Sequence, residues 1–190
     1  MRSLIRSLIK EAVQANSSEM RFWHGGNLDV YDDMIAHKKG RNEHGPGLYL
    51  ITHYGTAREY AKGSRKLYMV TVESGRDLRD SVIPMDKVKK FVLTYVIGNK
   101  RKTVLERLSE WEDNGAVDAN ILNNVMINEE ALKPSLMGRL RELYISEGID
   151  YTIVDNPFGW HEKMMVLFNM QKIKDVKRIM PTDKIDQFDL

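Results

Sequence analysis

Gly45-Pro46-Gly47-Leu48-Tyr49-Leu50-Ile51-Thr52 is followed, four residues later, by Ala57-Arg58-Glu59-Tyr60-Ala61. The first stretch closes a polar, glycine-containing loop, Lys38 to Pro46, and opens a short apolar strand, Leu48 to Thr52. The second reads as a helix that starts at Thr56, with Ala57, Tyr60 and Ala61 on one face at i, i+3, i+4 spacing. Strand, tight turn and helix in so few residues bring Tyr49 and Tyr60 towards one cleft.

Towards the N-terminus, Arg21-Phe22-Trp23-His24 is an aromatic strand candidate ended by Gly25-Gly26. Residues 29–39 read as a short helix with Val30, Met34 and Ile35 inward. Towards the C-terminus, Leu67 to Val72 is a further strand. From about Ile83 to Gly148 the pattern turns helical: Val88, Phe91, Val92 and Tyr95, then Val104, Leu105, Leu108 and Trp111, then Ile121, Leu122 and Val125, then Leu136, Leu140, Leu143 and Tyr144. Gly148 suits the end of the last helix. Strands then return at 151–154, 163–168 and 173–179. The late strands need the early ones as partners, so the helical block is an insertion on a small β core. The expected class is α+β.

Length and composition agree with one domain carrying an arm. The chain has 190 residues, 42% hydrophobic and 29% charged, in the range of a packed globular protein. It has no cysteine, which excludes disulfides, thiolate metal sites and a cysteine nucleophile. A net charge of +2 gives no support to a strongly basic nucleic-acid binder. No apolar run approaches the roughly 20 residues of a membrane span, so no transmembrane segment is expected. Residues 1–16 form an amphipathic helix pattern, with Leu4, Ile5, Leu8, Ile9, Ala12 and Val13 on a stripe and Arg2, Arg6 and Lys10 off it. That stripe must be buried on its own domain, on a partner or by self-association. Residues 1–18 are thus an N-terminal helix and linker, and 19–190 a single domain with its insertion at about 83–148. The tail from Pro181 is polar. The expected compartment is the cytoplasm.

Three places carry residues suited to chemistry. His24 ends a strand before two glycines; its ring is held while the backbone of Gly25 stays open to a flat amide. Tyr49 and Tyr60 form an aromatic pair able to clamp a planar ring. Glu162 follows a loop with Phe158, Gly159 and Trp160 and opens a strand, where a carboxylate is well placed as a positioned charge. Taken singly, each also reads as structure: a strand-ending histidine, two core aromatics, an exposed strand-opening glutamate.

Together, in this order, they resemble the His-Tyr-Glu branch of the ADP-ribosyltransferase superfamily, which includes diphtheria-toxin-like enzymes and poly(ADP-ribose) polymerases. The stretch GLYLIT followed by AREYA is similar to that family's "G-I-Y-x-T … A-x-x-Y", with Tyr60 eleven positions after Tyr49. The ending EKMMVLFNMQKIKDVKRI is similar to its last strands, an ending often found in phage-encoded and toxin-type members. The resemblance covers about Phe22 to Tyr60 and Ile149 to Ile179. It implies a split β-sheet core and NAD as substrate, with no metal. It implies that His24 hydrogen-bonds a ribose hydroxyl, that Gly25 holds the nicotinamide carboxamide through its backbone, and that Tyr49 and Tyr60 sandwich the nicotinamide ring. Glu162 would stabilise the cationic sugar as the glycosidic bond breaks. The implied activity is mono-ADP-ribosylation of a macromolecular acceptor, protein or nucleic acid. For a phage- or toxin-encoded chain the compartment would be a host cytoplasm. NAD hydrolysis, RNA 2′-phosphotransfer on a related fold, and a binding module without turnover are the alternatives. Trp160 stands two before Glu162, where arginine- and asparagine-directed toxins carry Glu or Gln, which speaks against those acceptors.

Two further groups read as solvated surface. Asp29, Asp32, Asp33 and His37 lack metal-ligand spacing. Lys87, Lys89 and Lys90, and Lys100, Arg101 and Lys102, are short basic clusters.

Overall fold

The computed structural model describes residues 19–28, 43–62, 66–155, 157, 159 and 161–180. The expected helices at 1–16 and 29–39, the tail from Pro181, Phe158 and Trp160 lie outside these residues. No helix among the described residues is long and apolar enough to cross a membrane.

In chain order the main elements are β1 (Glu19–Gly25), β2 (Leu48–Ile51), α1 (Tyr54–Ala61), β3 (Leu67–Glu73), β4 (Val82–Pro84), α2 (Met85–Tyr95), α3 (Arg101–Ser109), β5 (Ala116–Asp118), α4 (Ala119–Asn128), α5 (Met137–Ser146), β6 (Tyr151–Asp155), β7 (Lys163–Leu167) and β8 (Ile173–Ile179). Six strands form one sheet in the order β6-β7-β2-β1-β3-β8, every neighbouring pair antiparallel. The late strands β6, β7 and β8 flank the early ones, as an insertion between them requires. The class is α+β.

Two halves of this sheet are firmly paired and the join between them is not. β1 and β3 pair from Glu19↔Glu73 to Gly25↔Leu67, and β2 and β7 pair over all of β2. Between β1 and β2 the register holds only Trp23↔Ile51. The sheet is continuous there, but narrow.

Alternation along the strands sorts the core. Phe22, Leu48, Leu50, Val70, Val72, Met165 and Leu167 share one cluster on one face. On the other, Trp23, Ile51 and Leu67 pack with Ala57 and Ala61 of α1. Val166 and Phe168 join the large core of the insertion, where the Tyr144 ring lies 4.9 Å from that of Phe168. One face is therefore covered in two places, by α1 and by the insertion helices.

The insertion differs from a purely helical reading of 83–148. It holds four helices and also the β4–β5 ladder, Val82↔Asp118 to Pro84↔Ala116. Three-residue strands are too short to show a period. The two strands are joined through α2 and α3; just before β5, Asn114 and Gly115 both take positive φ and close a tight turn at the Asp113–Ala116 bridge. Helix α1 begins at Tyr54, two residues before the expected Thr56, because His53 stands at its N-cap.

α1 lies against β1 at Gly25. A β-carbon on Gly25 would stand 1.9 Å from the Ala57 carbonyl oxygen and 2.8 Å from the Ala61 nitrogen. Any side chain there displaces the helix. Gly25→Ala is expected to cost on the order of 1–3 kcal/mol, read in a melting curve as a fall of roughly 3–10 °C. A melting temperature unchanged from wild type would contradict this packing.

Candidate functional site

His24 stands where the β1–β2 ladder stops. Its Nδ1 lies 2.9 Å from the backbone carbonyl of Tyr49. A carbonyl only accepts, so Nδ1 carries the hydrogen and, in the neutral ring, Nε2 is left as an acceptor. Burial lowers the His24 pKa from 6.5, with the bond to Tyr49 opposing it, so the ring is neutral at pH 7. Gly26 makes room for this ring: it takes φ +149°, and a β-carbon there would stand 3.1 Å from Nε2.

Gly25 faces the same gap. Gly26 N–H bonds the Lys66 carbonyl on the β3 side. Antiparallel strands send successive residues' polar groups to opposite sides, so the N–H and C=O of Gly25 point towards β2, where pairing has run out. A backbone donor and acceptor side by side match the two ends of a carboxamide.

Tyr49 is anchored at both ends. Its half-buried ring packs against the insertion core. Its hydroxyl donates to the Gly45 carbonyl at 3.0 Å and accepts from the His44 N–H at 3.1 Å. Burial raises its pKa. The loop it grips is tied in turn to the insertion: the Asn123 amide donates to the His44 carbonyl at 3.2 Å, and the buried Tyr144 hydroxyl donates to Asn123 Oδ1 at 3.0 Å. The insertion thereby sets the position of the loop that holds Tyr49. The sequence signals nothing of this, because Asn123 sits in an otherwise ordinary helix.

Glu162 is brought in by register. Ile51 pairs with Met164, and just beyond the ladder Thr52 and Lys163 bond each other: Thr52 N–H donates to the Lys163 carbonyl at 3.0 Å and Lys163 N–H to the Thr52 hydroxyl at 2.9 Å. One residue further, Glu162 falls beside His53. Its Oε1 lies 3.2 Å from His53 Nδ1 and 3.5 Å from the Thr56 hydroxyl. Its Oε2 is buried with no hydrogen-bond partner among the described residues. Leaving a carboxylate oxygen dry and unpaired is costly unless something else fills the place. The N-terminal end of α1 next to it favours negative charge.

His53 Nδ1 has competing neighbours. Thr56 N–H approaches it at 3.2 Å as a capping donor, and Glu162 Oε1 stands at the same distance. The cap needs a bare Nδ1, and the carboxylate needs a protonated one. The Thr56 hydroxyl stands closer still, 2.9 Å from Nδ1; in the Nδ1–H tautomer the ring donates towards that hydroxyl and Oε1, and in the other it caps α1. Neither His53 nor Thr56 was singled out from the sequence; nothing short of the β2–β7 register reveals them.

Tyr60 is on α1, one turn after Thr56 on the same face. It is 62% exposed, not the core aromatic that its sequence position also allowed. The structure thus brings His24, Gly25 and Tyr49 together at the gap between β1 and β2. It sets Glu162 against Thr56 on the helix whose inner face, Ala57 and Ala61, rests on Gly25.

A concavity of about 750 Å³ between α2 and α3, lined by Leu93, Arg101, Leu105 and Glu106 among others, contains none of these residues. The site is defined by its orphaned carboxylate oxygen and open backbone, not by depth. Among the described residues no group of three or more potential ligands could hold a metal ion.

No family model matches the chain, and no curated protein does. Among solved structures it is similar to an anti-CRISPR protein, with a TM-score of 0.39 and 13% identity over 86% of this chain and 97% of that one. A likeness of that degree carries no argument about fold or activity.

The neutral His24 has a consequence for stability. Its folded pKa is below the unfolded value of 6.5, so its favourable contribution is present above pH 6.5 and lost as pH falls through the folded value. The melting-temperature difference between wild type and His24→Gln should narrow as pH drops from 7.5 to 5. A difference constant over that range would contradict a neutral, desolvated His24.

Proposed function

We propose that the chain is an NAD-dependent mono-ADP-ribosyltransferase: it cleaves the nicotinamide–ribose bond of NAD and passes ADP-ribose to a macromolecular acceptor. The observation that carries this reading is the buried, unpartnered Oε2 of Glu162, at the N-terminal end of the helix that rests on Gly25.

The chemistry follows from the groups present. Cleavage passes through an oxocarbenium-like sugar. A fixed carboxylate already stripped of water stabilises that cation without reorganising. Nicotinamide leaves neutral, so no strong acid is required. The gap between β1 and β2 supplies the rest of the binding: Gly25 N–H and C=O for the carboxamide, and His24 Nε2 to accept a ribose hydroxyl's hydrogen. Tyr49 and Tyr60 would hold the ring. Of these, Tyr49 is anchored through its hydroxyl and Tyr60 is exposed on α1. A single α+β sheet narrowed at β1–β2 supports the split-core fold that the resemblance implies.

Nicotinamide release from NAD by wild type and Glu162→Gln tests this. The substitution keeps shape and removes charge, so turnover should fall on the order of 10²–10³-fold with little change in NAD affinity. Equal turnover by the two proteins, or none by wild type, would overturn the reading. A labelled-NAD incubation with cell lysate then separates transfer to protein or nucleic acid from hydrolysis.

A further inference from the structure

Glu162 uses its two oxygens differently, and that division points beyond sugar stabilisation. Oε2 is buried and has no hydrogen-bond partner among the described residues. Oε1 is engaged with His53 Nδ1 at 3.2 Å and with Thr56. His53 itself is 52% exposed, while the Glu162 side chain is only 15% exposed. Its ring lies over Gly55, where a β-carbon would meet Cε1 at 2.8 Å. The absent side chain at residue 55 is what lets the imidazole sit there.

Resting on the reading above, we infer that His53 is the general base for the acceptor, and that the acceptor attacks through a hydroxyl oxygen. A carboxylate holding Nδ1–H fixes the tautomer, leaves Nε2 as a proton acceptor and stabilises the imidazolium once formed. The step balances. His53 Nε2 takes the proton of R–O–H, the oxygen bonds to the ribose anomeric carbon, and the carbon–nitrogen bond to nicotinamide breaks. The bonding pair stays on the nicotinamide nitrogen, cancelling its positive charge. The positive charge ends on His53, beside Glu162. A hydroxyl needs such a base because it is a poor nucleophile while protonated. Glu162 and the neutral Thr56 are the hydrogen-bond neighbours of His53; the other charged or titratable side chains of the two segments are Tyr54, Arg58, Glu59 and Tyr60 on α1 and His161 and Lys163 beside Glu162.

The probe is methanol as a minimal hydroxyl acceptor. Full-length wild type, His53→Asn and His53→Gln are incubated with NAD and methanol from pH 5 to 9, with nicotinamide, ADP-ribose and methyl-ADP-ribose measured. Asn is itself a good helix cap, so His53→Asn keeps α1 intact while removing the base. Wild type should form methyl-ADP-ribose. Both variants should lose about 10²-fold or more of that rate and change its pH profile, with KM for NAD within about threefold. Methyl-ADP-ribose formation by His53→Asn at the wild-type rate and pH profile overturns the inference while leaving ADP-ribosyl transfer standing. So does a rise in KM for NAD that accounts for the whole loss, which would make His53 part of the NAD site. Wild type that releases no nicotinamide overturns both readings at once.

Discussion

The structure turns on the early end of one strand pairing. Beyond Trp23↔Ile51 the β1–β2 ladder does not continue in register, and the His24 imidazole bonds the Tyr49 carbonyl in place of a backbone partner. A backbone edge inside a sheet is expensive to leave open, because buried N–H and C=O groups demand partners. Two devices hold it open. Gly25 admits α1 so closely that the helix braces β1. On the other side the insertion braces the loop before β2, through Tyr144, Asn123 and His44. The gap is thus held from both flanks by elements that are themselves well packed.

The carboxylate depends on the same arrangement. Glu162 lies beside His53 only because β2 and β7 are in register up to Thr52 and Lys163. Thr56 and His53 stand at one oxygen, near the start of α1, and the other is buried with no hydrogen-bond partner among the described residues. That division is what a transition state with positive charge on one side and an incoming nucleophile on the other asks of a single residue.

Much of this was legible in the residues. Short apolar runs at Leu48 to Thr52 and Lys163 to Phe168 exposed the central strands, and the late strands' need for partners exposed the insertion. His24, Gly25, Tyr49 and Glu162 announced themselves as polar or aromatic groups at strand ends near glycines. What stayed hidden depends on distance in sequence. His53 and Glu162 are 109 positions apart, and only register joins them. Asn123 meets His44 through a packed core that no local pattern encodes. The β4–β5 ladder is a different case: its strands have three residues each and are separated by two helices, so they gave the helical period no visible interruption.

The central claim is that the gap beside β1 is a slot for an amide, with Gly25 as its donor and acceptor. The most direct measurement is the Gly25 backbone amide resonance, followed by NMR as nicotinamide and then NAD are added to the full chain. The account predicts a saturable shift at Gly25, with slower hydrogen exchange of its N–H and accompanying shifts at His24 and Tyr49. Binding that perturbs other parts of the chain and leaves Gly25 unmoved would contradict it.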